Sequence, residues 1–295
     1  MSETFVTQRS AQTETNALAP IGIFDSGLGG LSVLRDIRAL LPSESLIYCA
    51  DQAYLPYGDK SQQAICERAF AITAFLLQQG CKAIVIACNT ATAAAIKALR
   101  AAYPGFPFIG VEPGLRPAAK FSKTGQVGVL ATLATSRSEK FLLLQQQLSV
   151  EFAVQFHVSA CVGLVELIEA GKIHHTETQV LLTHYLEPLI AAGCDTLVLG
   201  CTHYPFVRDT LQAILAKRLI HGENPVKDWQ LIETGTAVAQ RLADLLAQNR
   251  RLVDTSLHAR TAKWLAYTNR DPEVFSQNCA NLGLAAEYDS RAMAI

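Results

Sequence analysis

Gly80-Cys81-Lys82-Ala83-Ile84-Val85-Ile86-Ala87-Cys88-Asn89-Thr90 aligns without a gap on Gly193-Cys194-Asp195-Thr196-Leu197-Val198-Leu199-Gly200-Cys201-Thr202-His203. Each stretch reads as a buried strand that closes on a thiol and then turns polar. In an open α/β sheet, a strand that empties into a helix N-terminus presents its last side chain at the mouth where such folds bind ligands. Cys88 and Cys201 are therefore both expected at a ligand site. Two equivalent thiols suggest two-base chemistry.

Outward from this pair, apolar runs and helical spacings alternate. Ile21-Gly22-Ile23-Phe24-Asp25 is a short strand closed by Ser26-Gly27, and Leu31, Leu34, Ile37 and Leu41 then recur at helical spacing until Pro42. A strand over 46–50, a helix carrying Ile65, Ala69, Ile72 and Leu76, the strand into Cys88, a helix through Ile96 and Leu99, and a strand over 106–111 follow. Alternation of this kind implies a parallel sheet with helices on both faces. The Pro and Gly cluster over 112–117 breaks the rhythm, and Val127-Gly128-Val129-Leu130-Ala131-Thr132 then echoes the opening strand. The expected fold is α/β, with two pseudo-symmetric doubly wound sheets facing each other across a substrate cleft. Residues 1–20 are expected to be a flexible leader, 21–114 with 229–285 a first domain, 115–228 a second, and 286–295 a C-terminal tail. The strand over 230–232 and those after it are expected to return to the first half.

The chain has 295 residues, half of them hydrophobic, and a net charge of -1, with Lys and Arg scattered along it. That distribution gives no electrostatic footprint for nucleic acid or an anionic membrane and favours a small-molecule partner. The first twenty residues lack the basic start and apolar run of a secretory signal, and no apolar run is long enough to span a membrane. The eight cysteines include no Cys-x-x-Cys and sit mostly in apolar runs, the usage of a reducing cytoplasm.

A cysteine in an apolar strand is usually a small buried hydrophobe, and Cys81 and Cys194 fit that description. Cys88 and Cys201 differ, because each closes its strand and a helix start there stabilises a thiolate. Asp25-Ser26 leads into Gly27-Leu28-Gly29-Gly30, whose spacing departs from the dinucleotide fingerprint, so no cofactor is expected. The glycines instead let the backbone approach a small carboxylate, with Asp25 beside Cys88 as an orienting or proton-handling group. Pro56-Tyr57-Gly58 lies in a loop that is an ordinary turn by pattern but hangs over the cleft by position. Asn89, Thr90, Thr132 and Thr202 follow strand ends, where capping a helix and binding a carboxylate are compatible roles. His203 can hold the Cys201 proton. Glu166 reads from pattern alone as a solvated helix-face residue, and no residue set has metal-ligand spacing, so no metal is expected.

Taken together, Ile23-Phe24-Asp25-Ser26-Gly27-Leu28-Gly29-Gly30, Leu55-Pro56-Tyr57-Gly58, Ala87-Cys88-Asn89-Thr90-Ala91-Thr92 and Leu199-Gly200-Cys201-Thr202-His203-Tyr204-Pro205 resemble the cofactor-independent glutamate racemases of the aspartate/glutamate racemase superfamily. The resemblance covers residues 21–285. It implies interconversion of L- and D-glutamate to supply D-glutamate for bacterial peptidoglycan, in the cytoplasm, by a homodimer. It also implies that Cys88 and Cys201 are the two acid/bases, acting on D- and L-glutamate respectively. Asp25, His203 and Glu166 match auxiliary acid/base residues. Asp25, Ser26, Pro56, Tyr57, Gly58, Asn89, Thr90, Thr132, Thr202 and His203 match substrate-binding positions. Two readings stay beside it: a racemase of aspartate or another small acid, and a ligand-binding regulatory protein that has kept the cleft without turnover.

Overall fold

The computed structural model describes residues 17–220, 226, 228–253, 262, 264–284 and 288–295; residues 1–16 of the expected leader lie outside them. Strand β1 (Ile21–Asp25) is flanked by β2 (Leu46–Ala50) and β3 (Ala83–Ile86), with β4 (Phe108–Gly110) beyond β3. In the second half, β5 (Gln126–Ala131) is flanked by β6 (Gln155–Ala160) and β7 (Thr196–Leu199), with β8 (Gln230–Ile232) beyond β7. The order β2-β1-β3-β4 is thus repeated as β6-β5-β7-β8, and these strand pairings are all parallel. In each sheet the chain steps one way from its central strand and then crosses to the other side. The switch point lies between β1 and β3, and again between β5 and β7, the crevices where open α/β sheets take ligands. Asp25 and Cys88 close the first crevice, Thr132 and Cys201 the second.

The inner strands β1, β3 and β7 are buried on both faces because helices cover them. Helix α1 (Leu31–Leu40) turns Leu31, Leu34 and Ile37 inward, and α2 (Gln62–Gln78) starts on Ser61, whose hydroxyl accepts from the Ala64 N–H at 3.2 Å. Helix α3 (Asn89–Ala102) follows β3 with Cys88 as its cap residue. The chain crosses to the second half at 112–114 and enters α4 (Leu115–Phe121), α5 (Leu133–Arg137), α6 (Glu139–Phe152), α7 (Leu164–Glu169), α8 (Thr176–Ala191) and α9 (Arg208–Ile220).

Two expectations change here. The strand over 230–232 stays with the second sheet, where Gln230 pairs with Thr196 and Ile232 with Val198. It covers the edge of β7 that would otherwise leave its backbone groups unpaired. The return comes with α10 (Gly235–Gln248), whose Val238, Ala239, Leu242 and Leu246 share a core with α1. The stretch expected as a tail contains β10 (Tyr288–Ala292), which pairs in parallel with β9 (Trp264–Thr268) at the edge of the first sheet. The intervening α11 (Pro272–Asn281), capped by Asp271, makes that parallel crossover possible.

Candidate active site

Both thiols line one cavity. Ser26, Pro56, Tyr57, Gly58, Asn89 and Thr90 bound it from the first half, and Thr132, Thr135, Val165, Thr202 and His203 from the second. Cys88 and Cys201 lie on opposite halves of its wall. Its volume is about 30 Å³, room for a water molecule and not for an amino acid. Binding anything larger therefore requires the walls of the cavity to move.

The two sulfurs sit in different settings. Cys88 Sγ accepts from the Ala91 N–H at 3.5 Å, at the head of α3. Burial, followed by the nearby Asp25 carboxylate, pushes the thiol well above its ordinary value, while the amides of Ala91 and Thr90 pull it back. Cys201 has no α-helix start directly behind it, since a short 3-10 turn over 204–207 intervenes. It is partnered instead by His203 Nδ1, 3.6 Å from Sγ. The repeat thus conserves the thiol and exchanges its electrostatic support, a helix terminus in one half and an imidazole in the other.

His203 is buried, and its other nitrogen, Nε2, lies 2.6 Å from Glu169 Oε1. Burial alone would lower the imidazole, but Cys201 and Glu169 together raise it well above the ordinary histidine range. Glu169 is the counterpart: burial would raise it, yet His203, the Leu28 N–H at 2.5 Å and Gln52 Nε2 at 3.2 Å hold it below the usual carboxylate value. The anion at the glycine turn is accordingly the chain's own Glu169. A Cβ on Gly27 would stand 2.1 Å from Glu169 Oε1, so only glycine lets this backbone close on the carboxylate.

Glu166, the expected auxiliary acid, is exposed on the first turn of α7 and lines a surface groove with Lys172 and Glu177. It does not reach the cavity. Leu164, Val165, Ile168 and Glu169 form the buried face of α7, and helical geometry turns Glu166 away from it. Glu169 was legible only as a charge in register with an apolar face, four residues after Val165.

Asp25 is fully buried at the end of β1, one layer behind the cavity wall; it accepts from the Gly27 N–H at 3.2 Å and from the Thr202 hydroxyl at 3.4 Å. The Tyr57 hydroxyl donates to Asp51, which Arg68 grips through Nε at 3.0 Å and Nη2 at 2.7 Å. Burial and Asp51 push that phenol far up, so it serves as a neutral donor that fixes the loop. Thr132 caps α5, its hydroxyl accepting from the Thr135 N–H at 3.2 Å and donating to Thr135 Oγ1 at 2.9 Å. Asn89 lines the cavity, and its Oδ1 is buried without a hydrogen-bond partner among the described residues.

The sequence pattern of the Asp/Glu/Hydantoin racemase family matches residues 21–225. The glutamate racemase of Stutzerimonas stutzeri is 47% identical over 255 residues, 86% of this chain and 90% of that protein. That of Ectopseudomonas mendocina is 49% identical over 246 residues, covering 83% and 89%. The crystal structure of Escherichia coli glutamate racemase, in complex with L-glutamate and the activator UDP-MurNAc-Ala, superposes with a TM-score of 0.77 at 32% identity over 94% of this chain and 98% of that one. Among the described residues no helix is long and apolar enough to cross a membrane.

Proposed function

The chain belongs to the Asp/Glu/hydantoin racemase family, and from that premise we propose that it is a glutamate racemase in which Cys88 and Cys201 exchange the α-proton of one bound amino acid. The observation that carries this reading is that the two thiols, from opposite halves, line a single cavity. Inverting a stereocentre requires a base on one face and an acid on the other, which one side chain cannot supply without moving around the substrate. Cys201, with the His203 imidazole at its sulfur, takes the proton from L-glutamate while the Cys88 thiol protonates the opposite face; D-glutamate reverses the roles. The Cys88 thiol, kept protonated by burial and Asp25, is the acid that the first direction needs. Asn89 accepts from the substrate ammonium, and the amides at the head of α3 stabilise charge developing on the carboxylate side. Asp25 orients Thr202 and biases Cys88.

The product, D-glutamate, serves peptidoglycan synthesis. We place the enzyme in a reducing cytoplasm, supported by eight cysteines that sit mostly in apolar runs and include no Cys-x-x-Cys. It acts as a homodimer, which light scattering tests. We read the fold as two domains, the first formed by the β1 to β4 segment together with α10, β9, α11 and β10, and the second by the segment from α4 through β8.

The deciding experiment follows each glutamate enantiomer in deuterium oxide by chiral chromatography and mass spectrometry. Racemisation with deuterium entering the α-position, lost by at least about 10³-fold in Cys88→Ser and in Cys201→Ser, is the expected result. Near-normal turnover in either variant, or a preference for aspartate, rejects it.

A further inference from the structure

Gln52 begins the 3-10 turn after β2 and does not itself line the cavity, yet it is buried between the two halves. Its amide orientation is fixed by chemistry. The Thr268 hydroxyl accepts from the Arg270 N–H at 3.1 Å, and its single proton goes to Gln52 Oε1 at 2.9 Å. Gln52 therefore turns its NH2 to the other side, where it donates to Glu169 Oε2 at 3.2 Å. The register of the first sheet places Thr268 opposite Ala50, two residues before Gln52, so this alignment is built into β2 and β9.

Glu169 belongs to α7 of the second half, while Gln52 and the Leu28 N–H belong to the first. Its other partner, His203, lies with it in the second half and touches Cys201. A movement that parted the halves to admit a substrate would separate the donors on the first half from the carboxylate and leave the His203 contact in place. The support of Cys88 is more local: the Ala91 amide belongs to its own half, and its Asp25 neighbour meets the second half only through the Thr202 hydroxyl at 3.4 Å.

We propose that Gln52, reaching across the cleft to Glu169, is a positioning residue that sets the Glu169–His203 pair against Cys201 when the two halves close. The proposal rests on the two-thiol reading above. It makes the Gln52 contact bear on proton transfer at Cys201 and not at Cys88, so the two half-reactions depend differently on the same residue.

Overall racemisation cannot resolve that difference. Enantiomers have equal free energies in water, so kcat/KM must change equally in both directions. A one-base reaction can resolve it. With the L and D enantiomers of 3-chloroglutamate, the base takes the α-proton, its electron pair forms the Cα–Cβ double bond, and chloride leaves. The enamine then hydrolyses to 2-oxoglutarate and ammonia, so released chloride reports a single deprotonation.

In the full-length enzyme, Gln52→Leu is expected to slow chloride release from the L enantiomer about tenfold and to leave the D enantiomer within about twofold. Thr268→Val, which frees the Gln52 amide to turn without removing it, shifts the L enantiomer in the same direction by about threefold. Equal losses on both enantiomers in these variants, or undiminished L elimination in Gln52→Leu, overturn the proposal. Cys201→Ser serves as the control: it abolishes L elimination and spares D if the two-thiol reading holds. L elimination that survives Cys201→Ser rejects that reading itself, a result distinct from a failure of the Gln52 assignment.

Discussion

Gly29 lies so close to the His203 ring that a Cβ at this position would stand 2.3 Å from Nδ1, the nitrogen that faces Cys201. The same Cβ would stand 2.6 Å from Thr202 Oγ1, and Ser32 on the following turn donates to the Thr202 carbonyl at 2.8 Å. The glycine turn of the first half is thus a seat for the residues that follow Cys201 in the second.

Gly29→Ala should therefore injure catalysis more than folding. The ring is buried and cannot swing into solvent, so the methyl group must displace either His203 or the closure of the two halves. We expect kcat/KM for L-glutamate to fall at least about tenfold, with a stability loss of about 1–3 kcal/mol by urea unfolding. Wild-type kinetics in this variant would show that the seat is not needed.

Glu169→Gln and Glu166→Gln separate the two carboxylates of α7. The first keeps the shape and removes the charge that faces His203, and should lower kcat about 10²-fold. The second changes an exposed side chain and should leave kcat within about twofold and stability within about 0.5 kcal/mol. The reverse ranking would restore Glu166 to the mechanism.

Much of this site was legible because the thiols, the Asp25-Ser26 pair and the Tyr57 loop all end strands or follow them closely, and strand ends in a repeated α/β pattern converge by topology. Glu169 and Gln52 were not, since their importance comes from which face of a short helix is buried and from which residue of the opposite half it meets. The 230–232 strand was misplaced for a related reason. An apolar run signals a strand but not its sheet, and only the hydrogen bonds to β7 decide that. The stretch expected as a tail contains β10 (Tyr288–Ala292), for which turn and period signals were weak and which is held by pairing with β9.

Asp195 gives the fold a pH signature. It precedes β7 and accepts from the Ser122 hydroxyl at 2.6 Å, the Lys123 and Thr124 N–H groups at 2.6 and 2.9 Å, and the Thr196 hydroxyl at 3.0 Å. Burial would raise the carboxyl, but these donors win and hold it below the ordinary value. A depressed carboxylate contributes stability that is present above its unfolded pKa and is lost as pH falls through the folded one. Asp195→Asn should cost about 2 kcal/mol at neutral pH. The gap to wild type should close as pH drops below about 4, and unfolding curves across that range check it.

Lys82 and Glu44 form the last test, far from the cavity. Lys82 Nζ is buried 2.5 Å from Glu44 Oε2 and also donates to the Ala17 carbonyl, while Glu44 Oε1 accepts from the Val253 N–H at 3.0 Å. Burial pulls the lysine below its ordinary value, with Glu44 offsetting part of that pull. Removing only the cation leaves a carboxylate buried without its counter-charge, so Lys82→Met should cost about 3–5 kcal/mol. Adding Glu44→Gln removes the stranded charge and keeps an acceptor for Val253. The double variant should therefore be more stable than Lys82→Met alone, with a coupling above about 1 kcal/mol in a double-mutant cycle. Additive losses in urea unfolding at unchanged m would mean that the two charges do not act as a pair.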